Sequence, residues 1–211
     1  MKKIVFCMLF GYFVGTFNPA YVFGRLKGFD IRQHGSGNAG ASNAVLLMGK
    51  ATGAICAFLD ILKAYIAYKL AALMFPKLAV AGILAGASCI IGHMFPIWMR
   101  FRGGKGLACL GGVILAYNSR IFGVLLLLEI ILVLIVDYVC MVAISASILF
   151  PSIYMFREGE LLGILALAVV ASVMLYKHME NLRRIQQGRE ARVSYLWNKE
   201  QETERLRTNY D

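Results

Sequence analysis

The feature that most limits the fold is a succession of apolar runs, each long enough to cross a lipid bilayer. About 20 apolar residues span the hydrocarbon core as a helix. Runs of that order occupy residues 4–23, 51–75, 78–98, 138–156 and 161–176. Lipid offers no partners to backbone polar groups, so each run is expected to be a helix that satisfies its own hydrogen bonds. With 59% hydrophobic residues and a mean hydropathy of +0.67, the chain lies outside the ordinary soluble range. The first run follows Met1-Lys2-Lys3 but is long and lacks a small-x-small cleavage site. It is read as the first span rather than a cleaved leader.

Residues 107–136 form a further apolar stretch interrupted by Tyr117-Asn118-Ser119-Arg120. It is one long helix or two short ones, and parity separates the choices. Two crossings put Gly104-Lys105, His178–Asn181 and Gly35–Asn38 on one side of the membrane; one crossing splits them. Residues 25–50, 100–105 and 177–207 carry 15 Lys or Arg, against five at Lys2, Lys3, Lys77, Arg120 and Arg157. The positive-inside rule then puts the richer face in the cytoplasm, with Lys2 and Lys3 as exceptions. The expected fold is an all-α polytopic membrane protein of seven transmembrane helices, N-terminus outside and C-terminus cytoplasmic. Residues 1–190 form a single transmembrane domain, and the more polar residues 191–211 a cytoplasmic tail.

The net charge of +10 flanks the spans, which suits topology and anionic headgroups and offers no soluble basic domain for nucleic acid. The five cysteines are scattered in apolar runs without a C-x-x-C, so they read as small hydrophobes.

Three loops carry more than a connector needs. In Gly35-Ser36-Gly37-Asn38-Ala39-Gly40-Ala41-Ser42-Asn43, glycines permit positive φ and close backbone approach, so amides can converge on an anion. Ser36, Asn38 and Asn43 add donors, and Ser42 or Asn43 is placed to cap a following helix. A flexible turn is the plainer alternative. In the second loop, Gly92-His93-Met94-Phe95-Pro96 precedes Phe101-Arg102-Gly103-Gly104-Lys105-Gly106. Three glycines around one compact charge suit a phosphate, though the spacing is not that of a Walker A loop; a basic topogenic turn explains only the arginines. In the third, His178, Asn181 and Arg184 recur every three residues and form one helical ridge. A lipid-facing basic helix would explain Arg184 but not His178 or Asn181.

Other polar residues have simpler readings. Asp60 and Lys63 can pair on one helix face, as a structural pair or a functional one. Glu129 lacks an obvious partner. His93 reads as a structural histidine rather than a base.

Together the three loops resemble the motifs of the bacterial acyl-phosphate:glycerol-3-phosphate acyltransferase family, usually called PlsY. The matching residues are Gly35–Asn43, Gly92-His93-x-Phe95-Pro96 through Phe101-x-Gly103-Gly104-Lys105-Gly106, and His178-x-x-Asn181-Leu182-x-Arg184-Ile185-x-x-Gly188-x-Glu190. Asp60-Ile61-Leu62-Lys63 fits as well. The resemblance covers nearly the whole chain up to Glu190. It implies transfer of a fatty acyl group from acyl phosphate to the 1-hydroxyl of glycerol 3-phosphate, giving lysophosphatidic acid for phospholipid synthesis. It further implies the bacterial cytoplasmic membrane, an active site facing the cytoplasm, a monomer among membrane lipids, and no cofactor or metal. The catalytic residues it suggests are Ser36, Lys105, His178 and Asn181. Substrate binding falls to Gly35, Gly37, Asn38, Asn43, Gly103, Gly104, Gly106, Arg184 and Lys63. Acyl phosphate is already activated, so direct attack by the glycerol hydroxyl suffices, with His178 or a substrate phosphate oxygen taking the proton.

Two departures stand out. Leu46 takes a position where the family usually has arginine, and Asn18 one where it tends to have serine. Arg32, Lys50 or Lys63 are candidate substitutes for the missing cation. The alternatives are a catalytically impaired phosphate- or lipid-binding paralogue of the same fold, and a small transporter. Transporters often show inverted repeats, which are not visible here.

Overall fold

The computed structural model describes residues 1–198 and contains helices and turns but no strand among them. Helix α1 (Lys2–Thr16) ends at an extended Phe17, and α2 (Pro19–Leu26) restarts at once. The restart is local chemistry. Asn18 Oδ1 accepts the Tyr21 N–H at 2.8 Å, and Pro19 takes the first turn, where its missing N–H costs nothing. The single span expected over residues 4–23 is thus two helices with a break at 17–18. A short 3-10 turn (Ile31–Gln33) leads to α3 (Ala41–Met48) and, past Gly49 at φ +91°, to α4 (Lys50–Met74).

Helix α5 (Ala81–Met94) runs into a second 3-10 turn (Ile97–Met99). The stretch over 107–136 is broken as the Tyr117–Arg120 interruption allows, into α6 (Leu107–Tyr117) and α7 (Ser119–Val136). Asn118 makes the break by accepting the Arg120 and Ile121 amides at 3.0 and 3.1 Å. Helices α8 (Val139–Glu158) and α9 (Leu161–Gln186) complete the bundle. Residues 193–196 form a last 3-10 turn docked on the α7–α8 connection: Ser194 donates through N and Oγ to Asp137, each at 2.8 Å. The remainder of the expected tail, 199–211, lies outside the described residues.

Among the described residues, five helical segments are long and apolar enough to cross a membrane: Lys2–Leu26, Ala81–Met99, Ser119–Val136, Val139–Glu158 and Leu161–Gln186. This is a multi-pass membrane protein. Helix α6 is apolar but short, and α4 is long but carries Asp60 and Lys63. The interior of α4 tolerates them because they pair at 2.6 Å inside the bundle. Glu129 also has a partner, the Ser145 hydroxyl at 2.6 Å.

Helix α5 is the hub: 72% of its span is buried against 11% for α7. Small residues let it sit so deep. A Cβ on Gly11 or Gly15 would stand 2.0 or 2.1 Å from the carbonyl oxygens of Ala85 or Cys89, and one on Gly92 2.1 Å from that of Tyr12. Helix backbones therefore touch directly, the packing that works where lipid competes with apolar side chains. Gly112 does the same for α6 against Ile61 of α4.

Candidate active site

The first loop is organised around one buried amide. Asn43 lies inside α3, whose N-cap is Gly40, so neither Ser42 nor Asn43 caps that helix as expected. The Asn43 side chain turns back into the loop. Its Nδ2 contacts the carbonyls of Ile31, His34 and Asn38, each at 3.0 Å, and its Oδ1 accepts the Ser36 N–H at 3.0 Å. Asn43 is fully buried and its hydrogen-bonding capacity is spent. It positions the loop. Gly35 and Gly37 adopt φ +58° and +70°, and a Cβ on Gly35 would strike Asn43 Oδ1 at 2.3 Å. Ser36 is exposed on this scaffold and Asn38 half-buried. Asn18, besides capping α2, donates to the Ala39 carbonyl at 2.9 Å, tying the loop to the first span.

The second loop folds under the C-terminus of α5. Gly103 and Gly104 donate their amides to the carbonyls of Met94 and His93, both at 3.1 Å. Gly37 likewise donates to His34 O at 3.1 Å. The expected nests of amides aimed at phosphate are therefore not formed at residues 36, 37, 103 and 104, whose N–H groups hold the loops themselves. The glycines serve close packing instead. A Cβ on Gly103 would lie 2.1 Å from His93 O, and one on Gly104 2.1 Å from His93 Nε2 and 2.9 Å from Ala39 O. Gly104 is thus where the first and second loops meet. Gly106, at φ +93°, starts α6.

Beneath Gly104, His93 is locked from its other side. Its Nδ1 is 2.9 Å from Lys63 Nζ and 3.2 Å from Asp60 Oδ1, and Lys63 also donates to Phe17 O at 2.5 Å. Lys63, expected to bind substrate, is buried in this cluster and engages the scaffold. Asp60, His93 and Cys109 present ligand atoms within 4.8 Å of one another, but the Lys63 ammonium lies among them, where a cation would be repelled. Arg32 is equally committed. It clamps Asp30 through Nε and Nη2 at 2.9 and 2.7 Å and donates to Met99 O at 2.6 Å. Lys50 donates to Leu196 O. None of the three candidate substitutes for a cation at position 46 is unengaged, and Leu46 itself is half-buried.

The third motif completes the site. Helix α9 continues unbroken through the expected ridge to Gln186. Lys105 Nζ donates to Asn181 Oδ1, and Asn181 Nδ2 donates to Glu190 Oε1 at 2.5 Å. Arg184 holds Glu190 at 2.7 Å and Glu180 at 2.8 Å. Gly188 at φ +70° reverses the chain past α9, and the amides of Arg189 and Glu190 close on Arg184 O. Glu190 closes the third motif in sequence, but the sequence assigns it no role in the site. Helical periodicity ends before it, and the glycine at 188 signals the fold-back that brings it to Arg184. His178 is buried, with Nδ1 2.7 Å from Met174 O. A carbonyl only accepts, so Nδ1 carries the proton and Nε2 is left as a base. Burial first, and the neighbouring Arg184 guanidinium second, push the Lys105 ammonium below the ordinary lysine value; Glu190 and Glu180 oppose them.

A family model described as glycerol-3-phosphate acyltransferase matches residues 5–188. The chain belongs to that family. Among its curated relatives, the glycerol-3-phosphate acyltransferase of Aquifex aeolicus (strain VF5) is 34% identical over 191 residues, covering 90% of this chain and 99% of the relative. That of Bacillus subtilis (strain 168) is 32% identical over 194 residues, covering 92% and 99%. In architecture the chain is similar to the crystal structure of PlsY, an integral membrane glycerol 3-phosphate acyltransferase, in its glycerol 3-phosphate form. The TM-score is 0.83 at 31% identity, over 92% of this chain and 96% of that one. The second motif thus meets the first where Gly104 packs on Ala39, and meets the third where Lys105 donates to Asn181, while Glu190 bridges Asn181 and Arg184.

Proposed function

We propose that the protein is an enzyme that transfers a fatty acyl group from acyl phosphate to the 1-hydroxyl of glycerol 3-phosphate, forming lysophosphatidic acid. The observation that carries this reading is the Lys105–Asn181 contact, which joins the second and third motifs of a glycerol-3-phosphate acyltransferase fold at one point. Lys105 spends one of three donors on Asn181 and keeps two for a phosphate. Ser36 offers its hydroxyl from the rim of a rigid loop. The glycerol oxygen attacks the acyl carbon and forms the ester, while the bond from that carbon to the phosphate oxygen breaks. The hydroxyl proton passes to His178 Nε2 and on to the departing phosphate. Holding two phosphate-bearing reactants side by side supplies much of the acceleration. Apart from the departures at Leu46 and Asn18, the residues that match the family's three motifs are in place, which does not favour an impaired paralogue.

The same junction supports seven crossings, with α1–α2 counted as one and α3 as none. Contacts between Lys105 and Asn181, and between Gly104 and Ala39, support a shared face for the three loops, and the excess of basic residues there supports a cytoplasmic side for it. The transmembrane domain extends to Glu190.

Purified protein should be reconstituted and offered glycerol 3-phosphate with acyl phosphate, acyl-CoA or acyl-loaded carrier protein in parallel. Turnover is expected with acyl phosphate; turnover with acyl-CoA alone would refute the donor. On a cysteine-free background, single cysteines at Ser36 and Arg102 should label from the cytoplasm, and at Lys77 and Arg157 from outside. Labelling of positions 36 and 102 from opposite sides would refute the topology.

A further inference from the structure

A cleft of 480 Å³ opens beside the first and second loops, and none of Ser36, Lys105, His178 or Asn181 lines it. Its walls carry Arg25, Arg32, Arg100 and Arg102 against the single carboxylate of Asp30, a net charge of +3. Two of these arginines are already paired: Arg32 with Asp30 at 2.7 Å, and Arg25 with Asp30 at 3.6 Å and with the Tyr21 hydroxyl at 3.0 Å. The Arg32 clamp holds the Asp30 carboxyl down to about 2, so it stays ionised and its charge is fully used inside the protein. Among the described residues, nothing makes a hydrogen bond or ion pair with the Arg100 or Arg102 guanidinium.

The backbone here is shaped to bring those two together. Arg100 and Phe101 both sit in the left-handed region, at φ +54° and +57°, where side chains other than glycine are strained. That turn lines the cleft with Arg100 and Arg102 and leaves Phe101 outside it, 56% exposed. Trp98 forms the rim, 70% exposed, with its indole N–H tied to the Thr16 hydroxyl at 3.0 Å. Arginines inside and an exposed Trp and Phe at the mouth are what an amphiphile at the membrane interface requires. A soluble anion would need only the arginines.

We propose that this cleft binds the phosphate headgroup of an anionic membrane phospholipid, with Arg100 and Arg102 on the phosphate and Trp98 and Phe101 against the acyl chains. The site is separate from the acyl-transfer junction and does not depend on the reading of that junction.

The test uses the full chain in phosphatidylcholine nanodiscs, with Trp197→Phe leaving Trp98 as the one tryptophan. Brominated phosphatidylglycerol or brominated phosphatidylcholine is added at equal fractions, and Trp98 quenching is followed. Brominated phosphatidylglycerol should bind preferentially, by about fivefold for each of the two free arginines. Arg100→Gln with Arg102→Gln should abolish the preference, each single variant should lose part of it, and the paired lysine variants should retain it. Arg120→Gln, remote in sequence and charge, should leave it unchanged. Equal quenching by both lipids in the parent protein, or a preference that survives the double glutamine variant, would overturn the site. Displacement by inorganic phosphate, but not by chloride at matched ionic strength, would make it a soluble-anion site and overturn the lipid.

Discussion

Lys105 stands half-buried between one guanidinium and two carboxylates, and this setting fixes how it titrates. Its ammonium is held below the ordinary lysine value, so its proton leaves earlier as pH rises. The alkaline limb of activity should therefore fall below the range of an exposed lysine. Lys105→Arg, which does not deprotonate, should move that limb upward even if turnover drops; an unmoved limb would remove Lys105 from the profile. Lys105→Ala should cost about 2–4 kcal/mol of transition-state stabilisation, roughly 30- to 1000-fold in turnover. Asn43 and Gly104 call for different measurements. Asn43→Ala strands several buried backbone groups, at about 1–3 kcal/mol, so melting temperature and turnover should fall together. Ser36→Ala, on an exposed rim, should lose turnover alone. Gly104→Ala drives a Cβ into His93, whose ring Asp60 and Lys63 hold in place, and overpacking of this kind costs about 1–3 kcal/mol. A lower melting temperature is expected; a raised Michaelis constant for glycerol 3-phosphate with unchanged melting would show that the glycine serves the substrate directly.

At the scale of helices, the close crossings decide which substitutions the bundle accepts. Gly15→Leu should separate α1 from α5 and leave little folded protein, because the atom it meets is a backbone carbonyl that cannot move aside. Gly123→Leu, on α7 with open space around it, should be tolerated. Equal expression and melting of the two in detergent would contradict this packing. Much of this level was legible in the sequence. Apolar length located the spans, and Asn118 marked the division of 107–136, because both are signals within a few residues of one another. The break at Phe17–Asn18 carries its own sign in Asn18-Pro19, a cap followed by a first-turn proline, but the apolar run on both sides outweighs it. The work of Asn43, the contact of His93 with Gly104 and the part played by Glu190 were not legible either. Each depends on partners that only the folded chain brings near. Glycine runs mark the first two loops, but not that the amides of residues 36, 37, 103 and 104 are used in holding those loops together.

For the whole molecule, the junction is assembled from distant parts of the sequence. The first loop precedes α3, Lys105 lies before α6, and its partner Asn181 is 76 residues further on, near the end of α9. Helices enter a membrane in the order in which they are made, and early segments fold before later ones exist. On a ribosome Lys105 thus waits through 76 residues of synthesis before Asn181 exists to meet it, and His178 is made only near the end. On the proposed mechanism, a partial version of the enzyme should not act. A chain stopped before residue 177 should insert its earlier spans and yet be silent in the acyl-transfer assay, and any turnover by it would refute the assembly described here. On the proposed mechanism, premature termination or a stalled final insertion should therefore yield inert membrane protein, not a loosely controlled acyltransferase consuming its substrates without the full site.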